Sequence, residues 1–355
     1  MLAVRSLLER FRLDGILLSG RPATAWLSGF TGSTSLLLIS RHDAWLVVDF
    51  RYALAARRQV FPGIGVVTFD DAYPDALERL LARHGIRVLG FESEAMTVSE
   101  YDRFRERLRT PSRYLGIAGE IAELRACKDS AELEAIRTAA GIADAAFADV
   151  LPLIRPGMTE YALAAEIEYR MRLHGAHGVA FPTIVASGPN AALPHAEVSD
   201  RAFGPGDAIL VDCGAQRGGY RSDMTRTVFL GEPSEALRNI YSIVLQAQRA
   251  AAAAIRPGMT GNAADAVARG IIAEAGFASC FGHSLGHGVG LEIHEEPRLS
   301  VPSKDVLEAG MVFTVEPGIY LEGIGGVRIE DMGVLTGDGF RSFTRAPTGI
   351  TVLPV

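Results

Sequence analysis

The hexapeptide IRPGMT stands at residues 154–159 and again at 255–260, an offset of 101 residues. Each copy runs into a stretch that reads as the start of a helix, EYALAAEIEYRMRLHGA at 160–176 and GNAADAVARGIIAEAGF at 261–277. Each helix leads to a segment containing histidine, His195 in the first copy and His283, His287 and His294 in the second. An apolar strand then ends in an acid followed two residues later by glycine: AILVDCG with Asp212 and MVFTVEPG with Glu316, 104 residues apart. Last come YRSDMTRTVF with Asp223 and VRIEDMGVL with Glu330, 107 residues apart. One hexapeptide match could be chance, but four features in one order at nearly constant offset are the mark of an internal repeat. The repeat predicts two α/β halves related by an approximate twofold axis, each bringing a pair of acids to a shared central cleft.

Upstream of the repeat the pattern changes. GILLSG, SLLLIS, AWLVVDF, GVVTF and RVLGFE read as short buried strands, and helical stretches such as DALERLLARHG lie between some of them. Strands with interleaved helices predict an α/β layer. From RACKDSAELEAIRTAAGIADAAFADVLPLI the pattern is long and helical, with Asp129 or Ser130 as its N-cap. We therefore expect an α/β N-terminal domain over 1–123 and a catalytic domain over 124–355, and 355 residues suit two domains.

Composition excludes several classes. The net charge of −7 and the lack of a basic cluster argue against nucleic acid as a partner. No apolar run approaches the roughly 20 residues that span a bilayer. The opening MLAVRSLLERFRLDGILLSG reads as an amphipathic helix and a strand rather than a signal peptide. The three cysteines, Cys127, Cys213 and Cys280, fit no disulfide framework or CxxC site, which leads us to expect a reducing cytoplasm.

The chemistry sits in the acids of the repeat. Asp212 and Glu316 close strongly apolar strands, where an ionised carboxylate is costly unless paired or metal-bound. Either alone could cap a turn, but equivalents in both halves point to a site. Asp223 and Glu330 lie in YRSD and VRIE, where period-two alternation places Arg221 beside Asp223 and Arg328 beside Glu330. Those pairs could be local ion pairs on solvated strands, or arginines orienting the acids. FGHSLGHGVGLEIHEEPRL carries three histidines within twelve residues, and glycine flanks His287 on both sides, permitting close backbone approach. Those glycines make a helical zinc pair of His283 and His287 a poor reading. Four carboxylates and one imidazole form an oxygen-rich donor set that suits two divalent ions, Mn²⁺ first, with Co²⁺ or Zn²⁺ as alternatives, sharing a hydroxide.

The order VDCGA, YRSDMTRT, GHGVGLEIHE, VEPGIY and VRIED resembles the creatinase/prolidase/aminopeptidase P family, whose catalytic domain has the α+β pita-bread fold with internal pseudo-twofold symmetry. The resemblance covers the whole chain, since members also carry a smaller N-terminal α/β domain. It implies that Asp212 binds one ion, that Asp223 and Glu330 bridge two, and that His287 and Glu316 complete the second. It implies catalytic roles for His195 and His294 in proton transfer, with Glu316 as a further proton relay. Arg298, four residues after His294, resembles the arginine that binds the substrate's terminal carboxylate in prolidases; its alternative is an ion pair with Glu295 or Glu296. His283 and Arg328 are further candidates for substrate contact.

WLSGFTGSTS and DFRY resemble aminopeptidase P more than prolidase. The expected function is therefore hydrolysis of the bond preceding proline by an Xaa-Pro aminopeptidase, with Xaa-Pro dipeptidase as the alternative. A homodimer is expected, with Trp26, Phe30 and Tyr52 either closing a partner's cleft or packing in their own domain. Three rivals remain. GHSLG matches the G-x-S-x-G nucleophile elbow and would make Ser284 a catalytic serine, but GHGVGLEIH at 286–294 is poor helix material and His294 is the last histidine of the chain. A non-enzymatic binding protein of the same fold would lack ligand positions, and creatinase would not use this metal centre.

Overall fold

Residues Leu17, Leu38 and Val47 pack on one face of a six-stranded sheet, and their neighbours Ile16, Leu18, Leu37, Leu46 and Val48 pack on the other. This is the period-two consequence of strands buried on both sides, and it explains why they read as unbroken apolar runs. In the computed structural model, which describes residues 1–69 and 73–355, the sheet belongs to the first of two units, Met1–Arg125 and Ala126–Val355. Its strand order is Ile64–Phe69, Ala44–Asp49, Leu36–Ser40, Gly15–Leu18, Val88–Glu92, Arg113–Ile117, with the Leu36–Ser40 strand antiparallel to both neighbours. All five expected strands are present. The sequence reading did not include the sixth, the edge strand Arg113–Ile117, in which only Ile117 is fully buried. The units divide two residues beyond Glu123, where the sequence placed the boundary, and the short helix Glu120–Ala126 runs through that point. Phe30 is 1% exposed and meets Tyr52 edge-on within its own unit, the packing of a core residue.

The second unit opens on helix Ser130–Val150. Asp129 caps it, accepting from the amides of Ala131 and Glu132 at 2.9 Å, while Glu132 accepts in return from the Asp129 amide. Each half of the repeat then supplies a helix pair and an antiparallel sheet. In the first half Ser130–Val150 and Glu160–Leu173 cover the sheet ordered Ile184–Ser187, Ala208–Cys213, Met224–Leu230, Val352–Leu353. In the second, Glu235–Ala254 and Gly261–Glu274 cover the sheet ordered Glu295–Leu299, Gly286–Gly288, Val312–Val315, Asp331–Thr336, Gly339–Ser342. The acid-bearing strand and its acid-following neighbour are adjacent in both sheets, Ala208–Cys213 with Met224–Leu230 and Val312–Val315 with Asp331–Thr336. The repeat seen in sequence is thus a repeat in three dimensions, an α+β pita-bread arrangement. No helix among the described residues is long and apolar enough to cross a membrane.

Candidate metal centre

The halves meet where the Glu330 amide donates to the Thr225 carbonyl at 3.1 Å. Around this junction each acid sits at a strand end. Asp212 is the penultimate residue of Ala208–Cys213, and Asp223 immediately precedes Met224–Leu230. Glu316 immediately follows Val312–Val315, and Glu330 precedes Asp331–Thr336. His287 is the middle residue of Gly286–Gly288, which pairs with strands on both sides. A Cβ at Gly286 would overlap the Thr314 carbonyl and one at Gly288 the Glu296 carbonyl, so the flanking glycines are required by close approach.

His287 Nδ1 lies 3.1 Å from the Gly288 carbonyl, an arrangement that places the ring proton on Nδ1 and leaves a lone pair on Nε2. Burial depresses its pKa to about 3, so the ring is neutral at physiological pH. That lone pair faces Glu316 Oε1 at 3.3 Å and Asp223 Oδ2 at 3.5 Å. Acceptor therefore faces acceptor in a buried space. One ligand atom from each of Asp223, His287 and Glu330 lies within 4.8 Å of the others. Asp212 Oδ1 is buried without a hydrogen-bond partner among the described residues. Burial, reinforced by the neighbouring carboxylates, pushes Asp223 and Glu330 well above the usual carboxylate range. Burial also lifts Asp212, and takes Glu316 up to about 7. Such a cluster is costly without cations and complete with them, so the donor set fits divalent metal ions.

Two threonines that the sequence reading passed over orient this cluster. Thr225 Oγ1 donates to Glu330 Oε2 at 2.7 Å, and Thr314 Oγ1 donates to Glu316 Oε1 at 3.0 Å while accepting from the His287 amide at 3.1 Å. Each lies two residues from an acid, Asp223 or Glu316, and that spacing was their available signal. Tyr320, also missed, receives a bond from Arg328 Nη1 at 3.0 Å and lies 2.9 Å from His283 Nε2. With His283 Nδ1 on the Ser284 carbonyl at 2.8 Å, that hydroxyl donates to Nε2, and burial holds His283 neutral with a pKa of about 4.

The expected arginine pairings are not those observed. Arg221 donates to the carbonyls of Leu291 and Ala180, and Arg328 Nη2 donates to Asp212 Oδ2 at 2.6 Å rather than to Glu330. The period-two argument fails because the backbone is not continuous strand there: Ser222–Asp223 interrupts one run and Ile329–Glu330 the other. Arg328 reaches the cavity wall, but Thr225, Pro194, Tyr320 and Asp212 take four of its N–H donors.

A cavity of about 470 Å³ is lined by the four acids, His287 and Arg328 together with His195, His283, His294 and Arg298. Phe181, Pro182, Ile184 and Ile293 supply an apolar surface. The Arg298 side chain has no polar partner among the described residues, and Glu295 pairs with Lys128 at 2.7 Å. Ser284 also reaches the cavity, but the strand Gly286–Gly288 comes after it where a nucleophile elbow needs a helix.

Metallopeptidase family M24 matches residues 134–337, and the Creatinase/Prolidase N-terminal domain matches residues 1–127. The chain belongs to metallopeptidase family M24. It is 41% identical to the peptidase YqhT of Bacillus subtilis over 99% of both chains. Among solved structures, the Xaa-Pro dipeptidase from Bacillus anthracis matches with a TM-score of 0.96 and 42% identity, over 99% of this chain and 98% of that one. The X-Pro aminopeptidase from Thermotoga maritima matches with a TM-score of 0.91 and 40% identity, over 97% and 99%. Membership makes the protein a metal-dependent hydrolase acting on peptides, and gives the acid cluster of this M24 enzyme its natural occupant, divalent metal ions.

Proposed function

We propose that the protein is an Xaa-Pro dipeptidase that hydrolyses the bond preceding proline, with Xaa-Pro aminopeptidase as the second reading. The observation that carries the order is the full-length likeness to the Bacillus anthracis dipeptidase, slightly above that to the Thermotoga maritima aminopeptidase. Arg298 supports it from within the site: an unpaired guanidinium on the cavity wall suits a free carboxylate, which in a dipeptide is the one on proline itself. The motifs WLSGFTGSTS and DFRY keep the aminopeptidase reading in play.

In this reading Asp212, Asp223, His287, Glu316 and Glu330 hold two ions, Mn²⁺ by preference of the oxygen-rich set. When bound, such ions supply a water acidic enough to attack at neutral pH and a positive charge for the carbonyl oxygen. The chain's own groups do the rest. Glu316 takes a proton from the attacking water and returns it to the proline nitrogen as the C–N bond breaks. Burial and nearby Arg298 hold the His294 pKa below its ordinary value, so it meets the developing oxyanion as a neutral N–H donor. His195 provides a second donor from the opposite half of the repeat, and His283, fixed by Tyr320, lines the substrate wall.

The test compares an Xaa-Pro dipeptide with an Xaa-Pro-Xaa tripeptide on Mn²⁺-loaded and chelator-stripped protein. Metal-dependent cleavage of the dipeptide alone is expected. Cleavage of the tripeptide at Xaa-Pro would instead establish the aminopeptidase, and cleavage of neither by metal-loaded protein would overturn the substrate class. We further propose a cytoplasmic homodimer. The three free thiols support the compartment, and Phe50 (72% exposed) and Leu54 (61%), one turn apart on helix Phe50–Gln59, support a self-contact. Light scattering that returns a monomer mass would exclude the dimer.

A further inference from the structure

His195 is carried by the irregular loop between strand Ile184–Ser187 and Ser199, whose regular piece is a short 3-10 turn at Gly188–Ala192. Beneath that loop lies Glu160, the first residue of helix Glu160–Leu173, with 0% exposure. An acid at a helix start ordinarily serves the helix's own amides. Here both oxygens face the loop instead. Oε1 accepts from the Ser187 amide at 2.7 Å and the Ser187 hydroxyl at 2.8 Å. Oε2 accepts from the Ser199 amide at 3.1 Å and the Ser199 hydroxyl at 2.6 Å. Asn190 Nδ2 spans both oxygens at 3.2 and 3.3 Å. One carboxylate thus ties together the two ends and the central turn of the segment that presents His195. On the far side Gly326 packs so closely on the Ala191 carbonyl that a Cβ would overlap it, and Arg328 Nη1 holds the Pro194 carbonyl at 3.2 Å.

The second half of the repeat solves the same problem with a different residue. Asp265, buried on helix Gly261–Glu274 one turn later than the Glu160 position, accepts from the Leu285 amide at 3.1 Å and from Arg269 Nε at 2.6 Å. Arg269 in turn donates to the carbonyls of Phe281 and His283 at 2.9 and 2.8 Å. In both halves the helix after IRPGMT therefore carries a buried acid whose partners are the loop bearing a cavity histidine.

We propose that Glu160 is a positioning residue for hydrolysis, fixing the Ser187–Ser199 loop so that His195 meets the scissile carbonyl, with Asp265 its counterpart for His283. This rests on the reading of His195 given above. None of the five candidate metal ligands lies in the loop, and none is among the hydrogen-bond partners of Glu160.

Glu160→Gln is the sharp probe. Each carboxylate oxygen accepts from a backbone amide, and an amide hydrogen cannot turn away as a hydroxyl can. Whichever way the new side-chain amide is oriented, its NH₂ opposes one of those backbone N–H groups, and one end of the loop loses its anchor. With the full chain, Mn²⁺-loaded, on an Xaa-Pro dipeptide, Glu160→Gln is expected to lower kcat about tenfold to a hundredfold, the cost of misplacing a reacting group by about 1 Å. Bound manganese per chain should be unchanged. The readout specific to positioning is the double variant: in a His195→Ala background, Glu160→Gln should cost nothing further. A Glu160→Gln protein with wild-type kcat beside a slow His195→Ala would overturn the proposal, as would a double variant slower than His195→Ala by the full single-variant factor. A His195→Ala protein as fast as wild type would instead overturn the reading of His195, and the proposal with it. Should Glu160→Gln not fold, Ser199→Ala removes one hydroxyl donor and keeps the backbone bond. Its smaller loss of kcat should also vanish without His195, and a loss that persists there overturns the proposal.

Discussion

Arg328 Nη2 lies 2.6 Å from Asp212 Oδ2, joining residues 116 positions apart that belong to opposite halves of the repeat. The same guanidinium donates to Thr225 Oγ1 at 3.0 Å, and Thr225 donates onward to Glu330. One buried arginine, 3% exposed, thus orients an acid of each half at the point where the halves meet. Replacing it with lysine keeps a charge but loses the planar fork. Arg328→Lys should weaken metal affinity about ten- to a hundredfold, the usual cost of removing a group that orients a ligand. Calorimetric Mn²⁺ titration checks this, and unchanged affinity would show that Asp212 needs no such support.

Stability should depend on pH differently with and without metal. Burial raises Glu316 from 4.5 to about 7 and, with the neighbouring carboxylates, lifts Asp223 and Glu330 well above the usual carboxylate range. Without metal the folded state therefore binds more protons than the unfolded chain between those values. This contribution is fully present below about pH 4.5 and is lost as pH rises through about 7. Metal binding runs the other way, because its ligands must be deprotonated. The gap in Tm between Mn²⁺-loaded and chelator-stripped protein should widen from pH 5 to pH 8. A constant gap would contradict the acid cluster as the site.

Arg298 makes its case through kinetics. If its guanidinium only binds the proline carboxylate, Arg298→Ala raises KM for an Xaa-Pro dipeptide and leaves kcat nearly unchanged. Amidating the substrate's C-terminus should reproduce the effect on wild type and add little to the variant. Equal kinetics in variant and wild type would remove Arg298 from the site.

Lys128 and Glu295 form a buried ion pair at 2.7 Å, their side chains 1% and 5% exposed. Lys128→Met removes the cation that faces the carboxylate of the residue next to His294. It should cost about 3–5 kcal/mol of unfolding free energy, as removal of one partner of a buried pair does. Lys128→Met with Glu295→Leu should recover most of that. Urea denaturation measures both, and a loss below about 1 kcal/mol would mean that water reaches the pair.

Much of this was legible in one dimension. The offsets between Asp212 and Glu316 and between Asp223 and Glu330 announced a duplicated fold, because a repeated supersecondary unit needs the same chain length to return to the same place. Five of the six strands of the N-terminal unit were equally plain, the four inner ones because burial on both faces leaves apolar runs and the edge strand Ile64–Phe69 through its apolar GVVTF. Recurrence in both halves singled out the four acids, two of them closing apolar strands where a lone carboxylate is costly, and the flanking glycines singled out His287. The edge strand Arg113–Ile117 left no such trace, and the buried Glu160 looked like any acid in the first turn of a helix. Tertiary structure alone decided the partners. Arg328 serves Asp212 rather than the acid two residues away because the strand breaks at Ile329–Glu330 and a long side chain turns to the nearest acceptor in space. Period and composition report what a backbone repeats locally, whereas a hydrogen bond between opposite halves depends on how two sheets meet, which no local pattern encodes.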